Sequence, residues 1–211
     1  MKPINTITGS MVPLPRANVD TDQIMPKMYL KRVERTGYGE FLFAEWKAAD
    51  ANFVLNRPEY RAAKILVTGP NFGSGSSREH APWGLQDWGF DAIVAASFAD
   101  IFRANCTKIG LLPVELHEKE VAWLMELAEA DPSALVVIDL PAQTVTAHDG
   151  RPEPSFEARF PMDSYTKWRL ENGLDDIGLT LRHTALIDEF ERSRPGFAPK
   201  LDAITGGSRS L

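Results

Sequence analysis

One cysteine in 211 residues, Cys106, closes off two classes of chemistry. A lone thiol forms no internal disulfide, and iron–sulfur clusters and most structural zinc sites take several thiolates. The four histidines, His80, His117, His148 and His183, show none of the tight spacings of a zinc motif. No metal is therefore expected on this chain. Long apolar runs are missing too, since nothing approaches the roughly 18 residues of a membrane-spanning helix. Lys and Arg number 23 against 29 Asp and Glu, and the net charge of −6 argues against nucleic acid or an anionic membrane as partner. The opening residues, Met1-Lys2-Pro3-Ile4-Asn5-Thr6, lack the basic and apolar regions of a signal peptide, so the cytoplasm is the expected location. Three glycine-loop signatures are also absent. There is no Gly-Lys-Ser/Thr, the third glycine of the dinucleotide fingerprint is missing after Gly73-Ser74-Gly75, and no serine sits centrally in Gly-x-Ser-x-Gly.

What remains is organised around residues 65–85. Ile65-Leu66-Val67-Thr68 is a β-branched and aliphatic run of the kind that fills a buried strand. Gly69, Pro70, Gly73 and Gly75 follow as a loop that permits positive φ and close approach of a ligand to the backbone. Ser76-Ser77-Arg78-Glu79 reads as a capping box, with Ser76 as N-cap and Glu79 three residues on. Loop amides and the positive end of a helix dipole make this an anion site, and two hydroxyls beside a guanidinium suit a carboxylate. On local grounds the box can equally do no more than start a helix. Pro82 leaves a choice: a helix from Ser76 is kinked there, or the helix begins later with Pro82 in its first turn.

The apolar fraction of 44% supplies a substantial core for one largish domain with appended helices. Residues 4–14 offer short strand pieces broken at Gly9-Ser10 and by Pro13 and Pro15. Asp20 and Asp22 read locally as turn caps, and residues 26–39 as an exposed loop. Residues 41–51 form a helix, 92–98 a strand, 100–108 a helix ending at Gly110, and 111–116 a strand. That alternation predicts an α/β layer with parallel strands and helical crossovers. Cys106 falls in the second of these helices as a small buried residue. Residues 118–130 form an amphipathic helix with Val121, Leu124 and Ala128 on one stripe. Strands follow at 135–140 and 144–147, with Asp149-Gly150 turning into a strand at 155–160 on which Phe156, Ala158 and Phe160 share a face. His148 beside that turn is expected to be exposed. From residue 164 the pattern is helical, with Leu179, Leu186 and Phe190 on one face and His183 sharing it as a packed or interfacial side chain. Residues 1–195 are expected as one domain and 196–211 as a disordered tail.

Three motifs carry a family resemblance. Gly73-Ser74-Gly75-Ser76-Ser77-Arg78-Glu79-His80, with Ala96-Ser97-Phe98-Ala99-Asp100-Ile101 through Asn105 and Gly110-Leu111-Leu112-Pro113, resembles the mobile, cluster-free domain of the aconitase superfamily. Asn18-Val19-Asp20-Thr21-Asp22-Gln23-Ile24-Met25-Pro26, and Tyr29-Leu30-Lys31-Arg32 through Thr36-Gly37-Tyr38-Gly39, are similar to the stand-alone form of that domain, the small subunits of 3-isopropylmalate dehydratases. The resemblance covers roughly residues 1–195. It implies a three-layer swivelling β/β/α domain with extra C-terminal helices. It also implies a hydro-lyase active only with a large subunit that carries a [4Fe-4S] cluster, none being held on this chain. By the same resemblance Ser76 is the catalytic base, and Asp22 is an active-site acid orienting a histidine of the other subunit. Ser77 and Arg78 then hold a substrate carboxylate, and Leu30 with Lys31 belongs to the loop that contacts the distinguishing substituent. Leu30 suits an isopropyl group through apolar burial, whereas a carboxylate arm calls for a guanidinium, which Arg32 keeps open. Substrates of the homoaconitate, citrate or methyl-substituted malate type stay open at this point, as does a non-catalytic anion-binding module. Comparing substrates after Leu30→Arg discriminates among the enzymes.

Overall fold

The computed structural model describes residues 1–31, 36–147 and 154–194. It divides into two compact units, Met1–Asp175 and Asp176–Leu211. The expected domain limit at residue 195 falls within the second unit, where the described residues end. The expected tail, the Asp149-Gly150 turn, His148 and Arg32 lie outside the described residues.

In the first unit two four-stranded sheets stack. One runs β1 (Thr6–Gly9), β6 (Val136–Asp139), β7 (Thr144–Ala147), β8 (Phe156–Arg159), all antiparallel. The other runs β2 (Met11–Leu14), β3 (Ile65–Thr68), β4 (Ala92–Ala95), β5 (Leu112–Glu115), all parallel. The parallel strands are buried on both faces, which is why they read as unbroken apolar runs. Ile65, Val67, Ala92 and Val94 point into a core shared with Ile7, Val136, Ile138 and Val145 of the antiparallel sheet. Leu66, Ile93 and Ala95 point the other way, into a core shared with the helices. A period of two thus sorts each strand between two cores, giving the expected β/β/α layering.

The helical layer comprises α1 (Thr21–Ile24), α2 (Ala44–Ala49), α3 (His80–Trp88) and α4 (Asp100–Ile109), while α5 (Glu118–Ala130) packs Val121, Leu124 and Ala128 into the inter-sheet core. Gly110 stops α4 in the left-handed conformation at φ +83°, as its place after the last apolar residue predicts. α6 (Ser164–Glu171) is capped by the Asp163 carboxylate, which accepts from the Thr166 amide at 2.8 Å. The second unit holds α7 (Asp176–Leu181) and α8 (Thr184–Ser193). His183, expected as a packed or interfacial side chain, is exposed in the single chain just before α8, and Leu186 and Phe190 are exposed with it.

Several local expectations are corrected. Pro13 does not break its strand, because β2 is an edge of the parallel sheet; Pro113 occupies the opposite edge strand in the same way. The strand expected over 92–98 ends at Ala95, and the helix expected over 41–51 spans only Ala44–Ala49, after a 3-10 turn at Gly39–Phe41. Among the described residues no helix is long and apolar enough to cross a membrane.

Candidate functional site

The connections that leave the carboxyl ends of β2, β3 and β4 meet in one place, the end of a parallel sheet at which ligands usually bind. Backbone bonds tie them together. Gly69 N–H donates to the Arg16 carbonyl at 3.1 Å, Gly73 N–H to Val19 at 2.8 Å, Thr21 N–H to Ser74 at 2.9 Å and Phe72 N–H to Ser97 at 3.1 Å. Asn18 and Asn71 both hold positive φ, +56° and +57°, and their side-chain amides meet at 2.9 Å. Asparagine tolerates that conformation better than any residue but glycine, a signal that could have marked both positions beforehand.

Glycine is required at the crest of the β3 loop. Gly73 has φ +77°, and a Cβ built there would lie 2.0 Å from Cγ of Phe102 on α4. Phe102 is itself buried against Phe72 and Phe98, so its ring has nowhere to go. Gly75 follows at φ +85° and turns the chain toward Ser76.

The capping box expected at Ser76-Ser77-Arg78-Glu79 does not form. α3 begins at His80, and Glu79 precedes it in αR conformation without a side-chain cap. The reason is Pro82. In a helix beginning after Ser76 its ring would collide with the preceding turn and its missing N–H would break the ladder. Starting at His80 puts Pro82 in the first turn, where no N–H partner is needed. The capping box that does form at this site is at Asp20. Its carboxylate accepts from the Gln23 amide at 2.8 Å while the Gln23 side chain accepts from the Asp20 amide at 3.0 Å. That short helix fixes Thr21, whose hydroxyl donates to the Ser76 carbonyl at 2.7 Å.

Ser76 and Ser77 are exposed. Arg78 is mostly buried, with 14% of its side chain exposed, and its Nη1 pairs with Oδ1 of Asp22, whose side chain is 52% exposed. A cleft of about 220 Å³ is lined by Thr21, Ser77 and Arg78 and, from α4, by Asp100, Ile101 and Phe102. Sequence reasoning missed Thr21, which it read as part of a turn, and Ile101, an exposed aliphatic at the start of α4. Leu30 and Lys31 do not line the cleft. They close a 3-10 turn, Lys27–Lys31, with Leu30 packed partly against the helical core and Lys31 exposed. The structure therefore places Ser77 and Arg78 in the cleft lining, pairs Asp22 with Arg78 and ties the Ser76 carbonyl to Thr21, while the Ser76, Leu30 and Lys31 side chains are not part of that lining.

His80 lies edge-on to Tyr38, with ring centroids 5.3 Å apart, and 4.8 Å from Trp83. Burial lowers its pKa, as does the Arg78 charge, against the opposing pull of Glu79. The donor set can also be tested against an iron–sulfur cluster. Among the described residues no group of three or more His, Cys, Asp or Glu could hold a metal ion. Cys106 is sealed in the core, where burial pushes its thiol well above the usual range. These donors do not fit a cluster.

The aconitase C-terminal domain family matches residues 1–119, and a family described as LeuD_N matches 123–158. A third family, the C-terminal domain of the 3-isopropylmalate dehydratase small subunit, matches 176–204. A 3-isopropylmalate dehydratase small subunit of Rubrobacter xylanophilus is 52% identical over 201 residues, covering 95% of this chain and 100% of that protein. One from Saccharopolyspora erythraea is 51% identical over 199 residues, covering 94% and 96%. A crystal structure titled 3-isopropylmalate dehydratase from Methanocaldococcus jannaschii shares the fold, with a TM-score of 0.61 at 24% identity over 87% of this chain and 98% of that one. The loops that converge on Arg78 lie within the aconitase-type match, and the later matches fall on the segments that follow it. This chain belongs to the family of 3-isopropylmalate dehydratase small subunits.

Proposed function

We propose that this chain is the small subunit of a cytoplasmic hydro-lyase that converts 2-isopropylmalate to 3-isopropylmalate through isopropylmaleate, a step of leucine biosynthesis. Water is lost and regained at the neighbouring carbon, so no oxidant or reductant is consumed. The observation that carries this reading is identity at about half of the positions shared with small subunits of nearly the same length. The chain works with a large subunit, and the [4Fe-4S] cluster belongs there, because this chain's own donors do not suit one.

The residues here supply binding and proton transfer. Arg78 takes a substrate carboxylate. Its guanidinium carries five N–H donors in a fixed fork, and Asp22, engaging Nη1, sets its orientation and leaves further donors to meet the carboxylate. Ser77, which lines the same cleft, adds a hydroxyl. Ser76 Oγ takes the proton from the carbon next to a carboxylate and returns one at rehydration. A serine hydroxyl is too weak a base unless its anion is stabilised. With α3 starting four residues later, the helix dipole contributes little at Ser76, since its field fades within the first turn. The stabilising charge is then Arg78 and the loop amides. Asp22, half-exposed, orients a histidine of the large subunit. The isopropyl group meets aliphatic carbon at Ile101 in the cleft and at Leu30, with Lys31 beside it, in the loop after Pro26.

The test is co-purification with a cluster-bearing large subunit followed by assay of isopropylmalate dehydration. The complex is expected to turn over and the isolated chain to be inert. A chain active alone, or a complex inactive on isopropylmalate, contradicts the reading.

A further inference from the structure

Half of the large apolar side chains that stand exposed among the described residues belong to two short helices. Ile177 and Leu181 on α7 are 72% and 61% exposed, and Leu186 and Phe190 on α8 are 63% and 67% exposed. Each pair is spaced i, i+4, so each forms a stripe along its helix. α8 carries Asp188, Glu189, Glu191 and Arg192 among these apolar positions, the pattern of a helix that buries one face, yet neither α7 nor α8 has a buried residue. Exposed apolar patches of this kind mark interaction surfaces.

We propose that the α7–α8 stripe is a docking surface for the large subunit of the same enzyme. The inference rests on the functional reading above. Two observations choose this occupant. The family specific to the C-terminal end of these small subunits matches residues 176–204, whereas the aconitase C-terminal domain match ends at residue 119. The apolar helices thus accompany the form of the fold whose relatives are named as small subunits. Charge disfavours a second copy of this chain, because self-pairing would join two bodies of net charge −6 through helices flanked by carboxylates.

The experiment titrates the full-length Leu186→Asp/Phe190→Asp variant and the wild type against purified large subunit, with sedimentation velocity as the readout. The expected result is an apparent Kd raised about tenfold or more, since apolar anchors at an interface centre carry most of its energy. The melting curve of the isolated chain and kcat at saturating small subunit should be unchanged. Leu186→Ser, expected to shift Kd less in the same direction, serves if the double variant fails to fold. Unchanged Kd in the double variant overturns the proposal. So does a wild-type chain that self-associates through this stripe while its variants keep full affinity for the large subunit. Substitutions that lower only the melting temperature also overturn it, by showing the stripe covered from within the chain. A wild-type pair that assembles but does not dehydrate isopropylmalate defeats the functional reading and leaves the docking result standing. A wild-type chain that binds no large subunit defeats both.

Discussion

Replacing Gly73 with alanine tests whether the site loop depends on the contact with α4. At φ +77° an alanine costs about 1–2 kcal/mol relative to glycine. The new methyl would also sit 2.0 Å from Cγ and 2.5 Å from both Cδ atoms of Phe102. Phe102 is 2% exposed and held edge-on to Phe72 with ring centroids 5.3 Å apart, so relief requires a shift of packed aromatic rings. Overpacking of that kind costs about 1–3 kcal/mol. A total of about 3 kcal/mol lowers the melting temperature by roughly 6–12 °C for a chain of this length. Thermal unfolding of the isolated chain, followed by circular dichroism, measures it directly. A companion Phe102→Leu background separates the two contributions, because the steric part should shrink there while the conformational part stays. Melting of Gly73→Ala within about 1 °C of wild type, or an equal loss in both backgrounds, refutes the reasoning.

Arg78→Lys keeps the charge but loses the fork, so kcat/KM of the reconstituted complex should fall about 10- to 100-fold, through both KM and kcat. Unchanged constants would remove Arg78 from the substrate. Thr21→Val keeps the shape of a side chain only 2% exposed but removes its hydrogen bond to the Ser76 carbonyl. Loosening the loop by about 1 kcal/mol predicts a kcat roughly fivefold to tenfold lower, and Thr21→Ser should restore it; a serine variant as impaired as valine contradicts the positioning role. Cys106 should resist alkylation at neutral pH in the native chain and react fully once it is unfolded. Its folded pKa is raised by burial, so its contribution to stability is complete below the ordinary thiol pKa and lost as pH rises beyond it. Cys106→Ala should therefore flatten the alkaline fall in melting temperature, and an unchanged fall would assign it to other groups.

The sequence is most legible where one local force acts alone. α5 matches its expected span because its apolar stripe has a single period and Asp131-Pro132 ends it, and α4 stops at Gly110 for want of a Cβ. Legibility fails where a distant neighbour decides. Nothing local says that Thr6–Gly9 and Met11–Leu14 enter different sheets, since that follows from partners at Val136–Asp139 and Ile65–Thr68. The serine capping box misleads for another reason, because Pro82 outweighs a four-residue signature and delays the helix. The pairing of Asp22 with Arg78 spans 56 residues of sequence, and only the docking of α1 beside the glycine loop brings them together. Leu30 illustrates the limit of reading a site from a motif. Its motif gives no sign that Leu30 packs against the helical core, or that Ile101, far along the chain, lines the cleft beside Arg78.

The central claim is that Ser76 Oγ moves the proton while the metal chemistry belongs to another polypeptide. The most direct measurement is steady-state turnover of isopropylmalate by the Ser76→Ala variant assembled with the large subunit, with assembly checked by sedimentation. Loss of a general base predicts a kcat lower by about 10²–10⁴-fold, with complex formation intact and KM little changed. A complex that assembles and turns over at close to the wild-type rate would contradict it.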